Sequence, residues 1–187
     1  MGIYKDVMGT LVRVLAADNI DNSTKQSWQK LIDADLRQGG TGSTISVRDK
    51  FDYDCCLHAL LHRELAPAQW DVLIAKYSTH KANKVDSIGR LISRIVSPAP
   101  QLFIYKAVTA WAIPKLCGMQ TGKRSTDMIV LPAEFYDMNT WDMEGKPEST
   151  RRRWKTGIAK CLERLEEAAV VHATEIFDRE EIFIDAA

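Results

Sequence analysis

Apolar residues along most of this chain recur at spacings of three and four positions, and long runs that alternate apolar with polar residues are scarce. Such spacing places apolar side chains on one face of a helix. The pattern predicts an all-α (mostly helical) fold: a helical bundle that contains helix-turn-helix units and one long C-terminal helix. The predicted helices cover residues 4–17, 24–36, 51–65, 68–78, 85–96, 102–116, 132–141 and 150–177.

Turn-forming residues divide these helices into segments. The glycine-rich run 38–44 indicates a loop, and Pro67 and the proline-containing run 97–100 each mark the end of a helix. Residues 127–131 are predicted to form a short strand or an extended connection. The chain is therefore predicted to consist of an N-terminal helical segment 1–37, a flexible loop 38–50 and a helical body 51–187.

The first candidate helix-turn-helix unit spans residues 131–177. Its turn, 145–149, contains glycine and proline, and Ser149 or Thr150 is placed to cap the long helix that follows. At 100° per residue, one face of that helix is apolar and the opposite face is polar. The apolar face carries Trp154, Ile158, Cys161, Leu162, Leu165, Ala169, His172 and Ile176. The opposite face carries Arg152, Arg153, Thr156 and Lys160.

The first turns of this long helix combine a basic surface with an aromatic anchor, Trp154. In helix-turn-helix proteins, the N-terminal residues of the second helix reach base edges while neighbouring cations meet phosphates. Cations there oppose the helix macrodipole, and a bound phosphate would relieve that conflict. The alternative is a basic surface that contacts only solvent. We predict nucleic-acid contacts from Thr150, Arg151, Arg152, Arg153, Lys155, Thr156 and Lys160.

The second candidate unit spans residues 68–96 and has a basic outer face. An apolar helix, 68–78, is followed by a polar turn and by a helix whose apolar residues again share one side. Arg90 and Arg94 project from the opposite side, so Lys84, Arg90 and Arg94 are further candidates for nucleic-acid contacts. Two packed core helices are the alternative, because the turn lacks glycine.

Composition changes this picture only when charge is followed along the chain. The 187 residues are 45% hydrophobic and 27% charged, and 25 basic residues balance 25 acidic ones. The zero total hides charged blocks, since the net charge is +6 over residues 48–124, −5 over 125–145, +5 over 146–160 and −6 over 161–187. Basic blocks on both candidate units are compatible with an anionic partner.

Two segments resemble a known group of proteins. Residues 70–77 (WDVLIAKY) with the basic helix after them, and residues 150–154 (TRRRW), look like the phage and prophage late-gene transcription antitermination proteins, the Q-like group. They also resemble the DNA-binding region four of bacterial sigma factors. The resemblance implies a factor that binds double-stranded DNA near a phage late promoter, loads onto bacterial RNA polymerase in the host cytoplasm and permits read-through of terminators.

The same resemblance implies roles for particular residues of the body 51–187. Recognition-helix positions are matched by Arg151, Arg152, Arg153, Lys155 and Lys160, whereas Arg90 and Arg94 match only a basic outer face. One departure concerns metal, because lambda-type members carry a zinc-binding Cys-x-x-Cys pair that this sequence lacks. Membership would therefore imply a branch without zinc.

Catalytic and cofactor chemistry has weak support in the sequence. Cys55, His58 and His62 share a helical face, but a zinc site would need a fourth ligand from elsewhere in the fold, so ordinary side chains are the favoured interpretation. The loop 118–125 lacks the residue spacing of a phosphate-binding loop. No apolar run reaches the length of a membrane helix. We expect a cytoplasmic protein that is not an enzyme, with no cofactor, no metal and no membrane partner.

Three hypotheses about function remain. The first is the DNA- and polymerase-binding antitermination factor. The second is a helical adaptor or inhibitor that binds a host protein without binding DNA. The third is a metalloenzyme built on the face that carries Cys55, His58 and His62.

Overall fold

The described part of the chain is built mainly from α-helices. The computed structural model describes residues 6–16, 47–115 and 129–183. These ranges contain no strand, so the predicted all-α class with a long C-terminal helix is confirmed. The α-helices are α1 (Val7–Ala16), α2 (Val47–Glu64), α3 (Pro67–Tyr77), α4 (Lys81–Arg94), α5 (Gln101–Ala112) and α6 (Glu148–Arg179), and two 3₁₀ helices lie at Ala133–Tyr136 and Met138–Thr140.

Several predicted elements differ from the structure or lie beyond the described residues. The predicted helix 24–36 and most of the predicted loop 38–50 lie outside them, and residues 47–50 form the first turn of α2 rather than a loop. Within the predicted extended connection 127–131, residues 129–131 are described and are not a strand. Across the described ranges, no helix is both long enough and apolar enough to cross a bilayer.

The start of α4 is set by a capping side chain that the sequence pattern did not reveal. The helix was predicted to start at Val85, but it begins at Lys81, because Nδ1 of His80 accepts a hydrogen bond from the Asn83 backbone N at 3.2 Å. This bond satisfies a donor that the first turn of a helix leaves without an internal partner. The connection between α3 and α4 is therefore only three residues long, 78–80.

The segment before α6 also departs from the predicted pattern. Instead of one helix over 132–141, it forms two 3₁₀ helices that meet at Asp137, whose carboxylate accepts a hydrogen bond from the Asn139 backbone N at 3.0 Å. Aspartate bonded to nearby backbone competes with α-helix formation. The long helix begins at Glu148, so Ser149 and Thr150 lie in its first turn and do not cap it.

The chain divides into two compact units, of which the first is Met1–Leu65 with His172–Ala187. In this unit α1 packs on α2, and Nε of Arg13 lies 2.8 Å from a carboxylate oxygen of the buried Asp54. In a second ion pair, Nη2 of Arg179 lies 2.5 Å from a carboxylate oxygen of Glu64. The Arg179 guanidinium lowers the pKa of the Glu64 carboxyl. The apolar core consists of Leu11, Val14, Leu15, Leu57, Leu61, Leu65, Ala173, Ile176 and Phe177.

The second unit, Ala66–Val171, holds α3, α4, α5 and most of α6. α3 and α6 are joined at Glu166, whose carboxylate lies 2.5 Å from Nζ of Lys76 and accepts a hydrogen bond from the Tyr77 hydroxyl. Burial raises the pKa of Tyr77, and the bond to Glu166 adds to the effect. These contacts hold α6 against α3.

Three aromatic side chains of the second unit, Phe103, Trp141 and Trp154, form an aromatic cluster. Phe103 is fully buried on α5 and meets Trp141 edge to face at a centroid distance of 5.3 Å and Trp154 at 5.5 Å. Nε1 of Trp141 donates a hydrogen bond to the Phe135 carbonyl at 2.8 Å, so its polar atom is satisfied. The cluster therefore ties α5, the 3₁₀ segment and the start of α6 together.

The two faces predicted for the long helix are largely confirmed. Trp154, Ile158, Leu162, Ala169 and Ile176 are buried, and Leu165 and His172 are half-buried. The prediction that Cys161 belongs to the buried face is wrong, because this residue is exposed. It lies about 60° around the helix from Ile158, at the edge of the apolar face. The predicted polar residues Arg152, Arg153, Thr156 and Lys160 are all exposed.

The position of Phe103 gives a test of the fold. We expect Phe103→Ala to lower the free energy of unfolding by about 3 to 5 kcal/mol, because it removes a fully buried ring and leaves a cavity between two tryptophans. The matched control is Leu102→Ala on the same helix, where the side chain is 39% exposed and the expected loss is under about 1 kcal/mol. Urea unfolding followed by circular dichroism measures both, and equal losses would contradict the assignment.

Candidate nucleic-acid-binding surface

The first turns of α6 are held in a fixed orientation by their buried side. Trp154 is 9% exposed and packs in the aromatic cluster, while the ammonium of Lys155 lies over the ring of Trp141 at 5.2 Å from its centroid. A rigid attachment on one side of a helix fixes which residues the other side presents to solvent. The opposite face of α6 is therefore the face that a partner could contact.

Three exposed cations, Arg153, Lys160 and Arg164, lie in a line on that face, which we call the basic ridge. At 100° per residue they fall within about 40° of one another around the helix. Their separations along the axis are about 10 Å and about 6 Å, from a rise of about 1.5 Å per residue. Among the described residues, none of the three has an ion pair, so their charge is available to a partner.

Between Arg153 and Lys160, the surface of α6 includes a position without a side chain, Gly157. Gly157 is exposed there, and a Cβ built on it would meet no atom of the described residues within 4 Å, so no contact in the described part of the chain requires a glycine at this position. Glycine inside a helix lowers stability by about 0.5 to 1 kcal/mol relative to alanine. Thr156 beside it is also exposed. The open backbone here permits close approach of a partner to the helix.

The other residues predicted on α6 have different surroundings. Arg152 forms an ion pair with Glu148 one turn earlier, with 2.6 Å between Nη2 and the carboxylate. Arg151 is half-buried, and its Nε is enclosed without a hydrogen-bond partner among the described residues. Thr150 is half-buried, and Lys155 lies against the Trp141 ring. Of the predicted set, Arg153, Thr156 and Lys160 are the residues that belong to the exposed ridge surface.

Acidic residues limit the ridge toward the middle of α6. Glu163 and Glu167 are exposed next to Arg164, whereas the stretch from Lys146 to Lys160 has a single acidic residue, Glu148. The terminal turns of α6 carry charges that suit the macrodipole, Glu148 in the first turn and Arg179 in the last. The ridge cations, Glu163 and Glu167 lie beyond the terminal turns, where the interaction with the macrodipole is weak.

The second predicted surface, on α4, is organised around a buried carboxylate. Asp71 of α3 is 3% exposed and accepts hydrogen bonds from Nε of Arg90 at 2.7 Å and from Nη2 of Arg94 at 3.4 Å. The two arginines are 51% and 44% exposed, so each guanidinium is both anchored and accessible. They are part of the packing between α3 and α4, as the alternative of two core helices anticipates, and they also reach solvent.

Lys84 does not lie on an outer face and is a correction to the predicted set. Its side chain is half-buried, and Nζ donates hydrogen bonds to the backbone carbonyls of Lys76 at 2.9 Å and Ser78 at 3.4 Å. A cation at the end of α3 complements the negative end of that helix's dipole. Burial lowers the pKa of Lys84 to about 8. Its role is to join the end of α3 to the start of α4.

Sequence reasoning missed three residues of these surfaces: Arg164, Gly157 and Asp71. Arg164 lies four positions after Lys160 and on the same line, so helical spacing alone could have found it. The net charge of −6 over residues 161–187 does not reveal this single cation. No local signal marks Asp71 as the partner of arginines 19 and 23 positions later, because that pairing depends on how α3 packs against α4.

The metal hypothesis finds no support on the described residues. Cys55 and His62 are exposed and His58 is half-buried on α2. In the described ranges, no group of three or more histidine, cysteine, aspartate or glutamate side chains is arranged to hold a metal ion.

The lowered pKa of Lys84 predicts a pH-dependent contribution to stability. Its ordinary pKa of 10.5 applies to the unfolded chain, so between pH 8 and 10 the unfolded chain binds a proton that the folded chain has released. The free energy of unfolding should therefore rise with pH in that window, and the contribution of Lys84 should become independent of pH well below pH 8. Between pH 8 and 10, we expect the free energy of unfolding of the native chain to rise by about 1 to 2 kcal/mol relative to that of Lys84→Met. Urea unfolding at each pH measures the difference, and a constant difference would contradict the prediction.

Comparison of the chain with protein-family models, with curated proteins and with solved structures finds no match in any of the three. The choice among functions therefore depends on the chemistry of the basic ridge and of the two arginines held by Asp71.

Proposed function

We propose that this chain binds double-stranded DNA through the basic ridge of α6. The observation that carries the proposal is the line formed by Arg153, Lys160 and Arg164, which are exposed and lack ion pairs among the described residues. DNA affinity depends strongly on cations that neutralise backbone phosphates and release their counterions. Because α6 is anchored by Trp154 on its opposite side, the three cations would meet the duplex as a fixed set.

The shape of the ridge supports a helix lying along a groove or backbone. The major groove is about 12 Å wide and admits an α-helix, and the three cations span about 16 Å along the axis of α6. Gly157 and Thr156 lie within that span and offer little obstruction. A bound phosphate would also offset the repulsion between Lys160 and Arg164, which lie four positions apart on α6.

We further propose that the biological setting is transcription antitermination in a bacterial host. The support is the resemblance of residues 70–77 and 150–154 to Q-like late-gene antitermination proteins. In this proposal the chain binds DNA near a phage late promoter and then loads onto RNA polymerase in the cytoplasm. The acidic continuation of α6, which begins at Glu163 and Glu167, would repel DNA and is available to a basic protein surface.

The helical adaptor is the second candidate function, and one observation favours it. Exposed acids at Glu163 and Glu167 lie directly beside the basic ridge, and surfaces of mixed charge are suited to protein partners. An adaptor would form a stable complex with a host protein and would not bind DNA. The two candidates therefore differ in a direct binding experiment.

Removal of the ridge cations tests DNA binding. We expect Arg153→Ala/Lys160→Ala/Arg164→Ala, the triple variant, to bind a mixed-sequence duplex at least about tenfold more weakly than the native chain. The slope of log affinity against log salt should fall by about 2 to 3, because each phosphate contact contributes about 0.9. Fluorescence anisotropy over a series of salt concentrations measures both quantities.

Two further variants control for charge and for shape. Arg152→Ala removes a cation from the same helix, but that cation is already paired with Glu148, so we expect a smaller effect on affinity and slope. Gly157→Leu leaves the charge unchanged and adds bulk between the ridge cations, so we expect weaker binding with little change in slope. Equal affinity of the native chain and the triple variant would exclude the ridge as the DNA site.

Terminator read-through tests the proposed setting. DNA selected by the native chain from a random-sequence library is placed beside a promoter, upstream of an intrinsic terminator, and transcribed with bacterial RNA polymerase. We expect the native chain to increase the fraction of full-length transcript and the triple variant to lose most of that increase, because DNA binding precedes loading. DNA binding without any read-through would reject antitermination and leave the DNA-binding proposal standing.

A further inference from the structure

Two guanidinium groups on α4 share one buried carboxylate. Nε of Arg90 donates to one oxygen of Asp71 at 2.7 Å, and Nη2 of Arg94 donates to the other at 3.4 Å. Nη2 of Arg90 is further held by the Ser87 hydroxyl at 2.9 Å, and Ser87 is itself fully buried. The side chains of both arginines are thus directed by groups that cannot move freely, since both Asp71 and Ser87 are buried in the packing of α3 against α4.

Neutralising Asp71 does not account for both arginines. One cation suffices to balance one carboxylate, and Arg90 makes the shorter contact. With Arg94 added, the cluster carries an excess positive charge, and both guanidinium groups are about half exposed. Each guanidinium has five N–H donors, of which these contacts among the described residues use only part. The remaining donors are able to bind an anion from solvent.

We propose that Arg90 and Arg94 form a second phosphate-binding site, the arginine pair, and that Asp71 is its positioning residue. The ligand is a backbone phosphate of the same duplex DNA, so the inference rests on the proposed function. Two planar groups held side by side are suited to the several oxygens of a phosphate, which a flexible lysine meets only as a point charge. Asp71 contributes by fixing the guanidinium planes before DNA arrives, which reduces the ordering that binding requires.

For removal of the Asp71 charge, this proposal predicts a change in DNA affinity opposite in sign to the change expected from net charge alone. If only net charge mattered, removing any carboxylate near the site would strengthen DNA binding. If Asp71 positions the arginines, removing its charge weakens binding even though the chain becomes more positive. Asp86 provides the matched control, because it is exposed on α4 one turn before Arg90 and has no ion pair among the described residues.

The experiment compares Asp71→Asn and Asp86→Asn with the native chain, using a mixed-sequence duplex and fluorescence anisotropy. We expect Asp71→Asn to lower affinity by about threefold to tenfold and to reduce the salt slope by about 1, the loss of one phosphate contact. Asp86→Asn should bind as well as the native chain or slightly better. Circular dichroism at the assay temperature verifies that each variant is folded.

A second variant keeps the test decisive if Asp71→Asn does not fold. Arg94→Lys retains the charge and leaves the shorter contact between Asp71 and Arg90 intact, but it removes the planar group. We expect it to lower affinity by about threefold or more, since Lys and Arg differ at sites that bind several oxygens. Native affinity in Arg94→Lys, or an increase in Asp71→Asn equal to that in Asp86→Asn, would overturn the arginine pair.

The outcomes also distinguish this inference from the proposal on which it rests. If the triple variant of the basic ridge loses DNA binding while Asp71→Asn behaves like Asp86→Asn, DNA binding stands and the arginine pair is rejected. If the native chain does not bind duplex DNA at all, both are rejected.

Discussion

The edge-to-face contacts of Phe103 with Trp141 and Trp154 hold the start of α6 against α5. Each such contact contributes about 0.5 to 1.5 kcal/mol beyond the area it buries, and both depend on one ring that is fully buried. Because Trp154 lies on the inner face of α6, its burial determines that Arg153, Lys160 and Arg164 face solvent. The orientation of the basic ridge is thus a consequence of core packing rather than of the charges themselves.

Charge in the second unit is used in two different ways. Lys76, Lys84 and Glu166 contribute to the contacts between helices, where burial and hydrogen bonds hold them. The ridge cations take no part in ion pairs among the described residues. The balanced composition of the chain therefore conceals both structural ion pairs and unpaired surface charge. Unpaired cations are not the only accessible ones among the described residues, because the paired Arg90 and Arg94 are also about half exposed.

Helical spacing was sufficient to predict the all-α class and the buried and exposed faces of α6, because both depend on periodicity within one element. It was not sufficient for the surroundings of individual cations. Arg152 is paired one turn away, whereas Arg90 and Arg94 are held by a carboxylate of another helix, which no local pattern encodes. The His80 cap likewise sets the start of α4, and Asp137 lies between two 3₁₀ helices where the spacing predicts one helix. Each side chain acts through a hydrogen bond that spacing does not report.

Gly157 and the ridge cations have a common energetic implication. A glycine in the middle of a helix lowers helix stability, and at Gly157 it relieves no steric contact with the described residues. Lys160 and Arg164 lie four positions apart on the same face, and like charges at that spacing lower helix stability further. Both features occur on the same exposed line of one helix, whose opposite side is held by the aromatic cluster. No contact among the described residues requires either feature, and both would suit the anionic partner proposed above, which approaches the backbone closely.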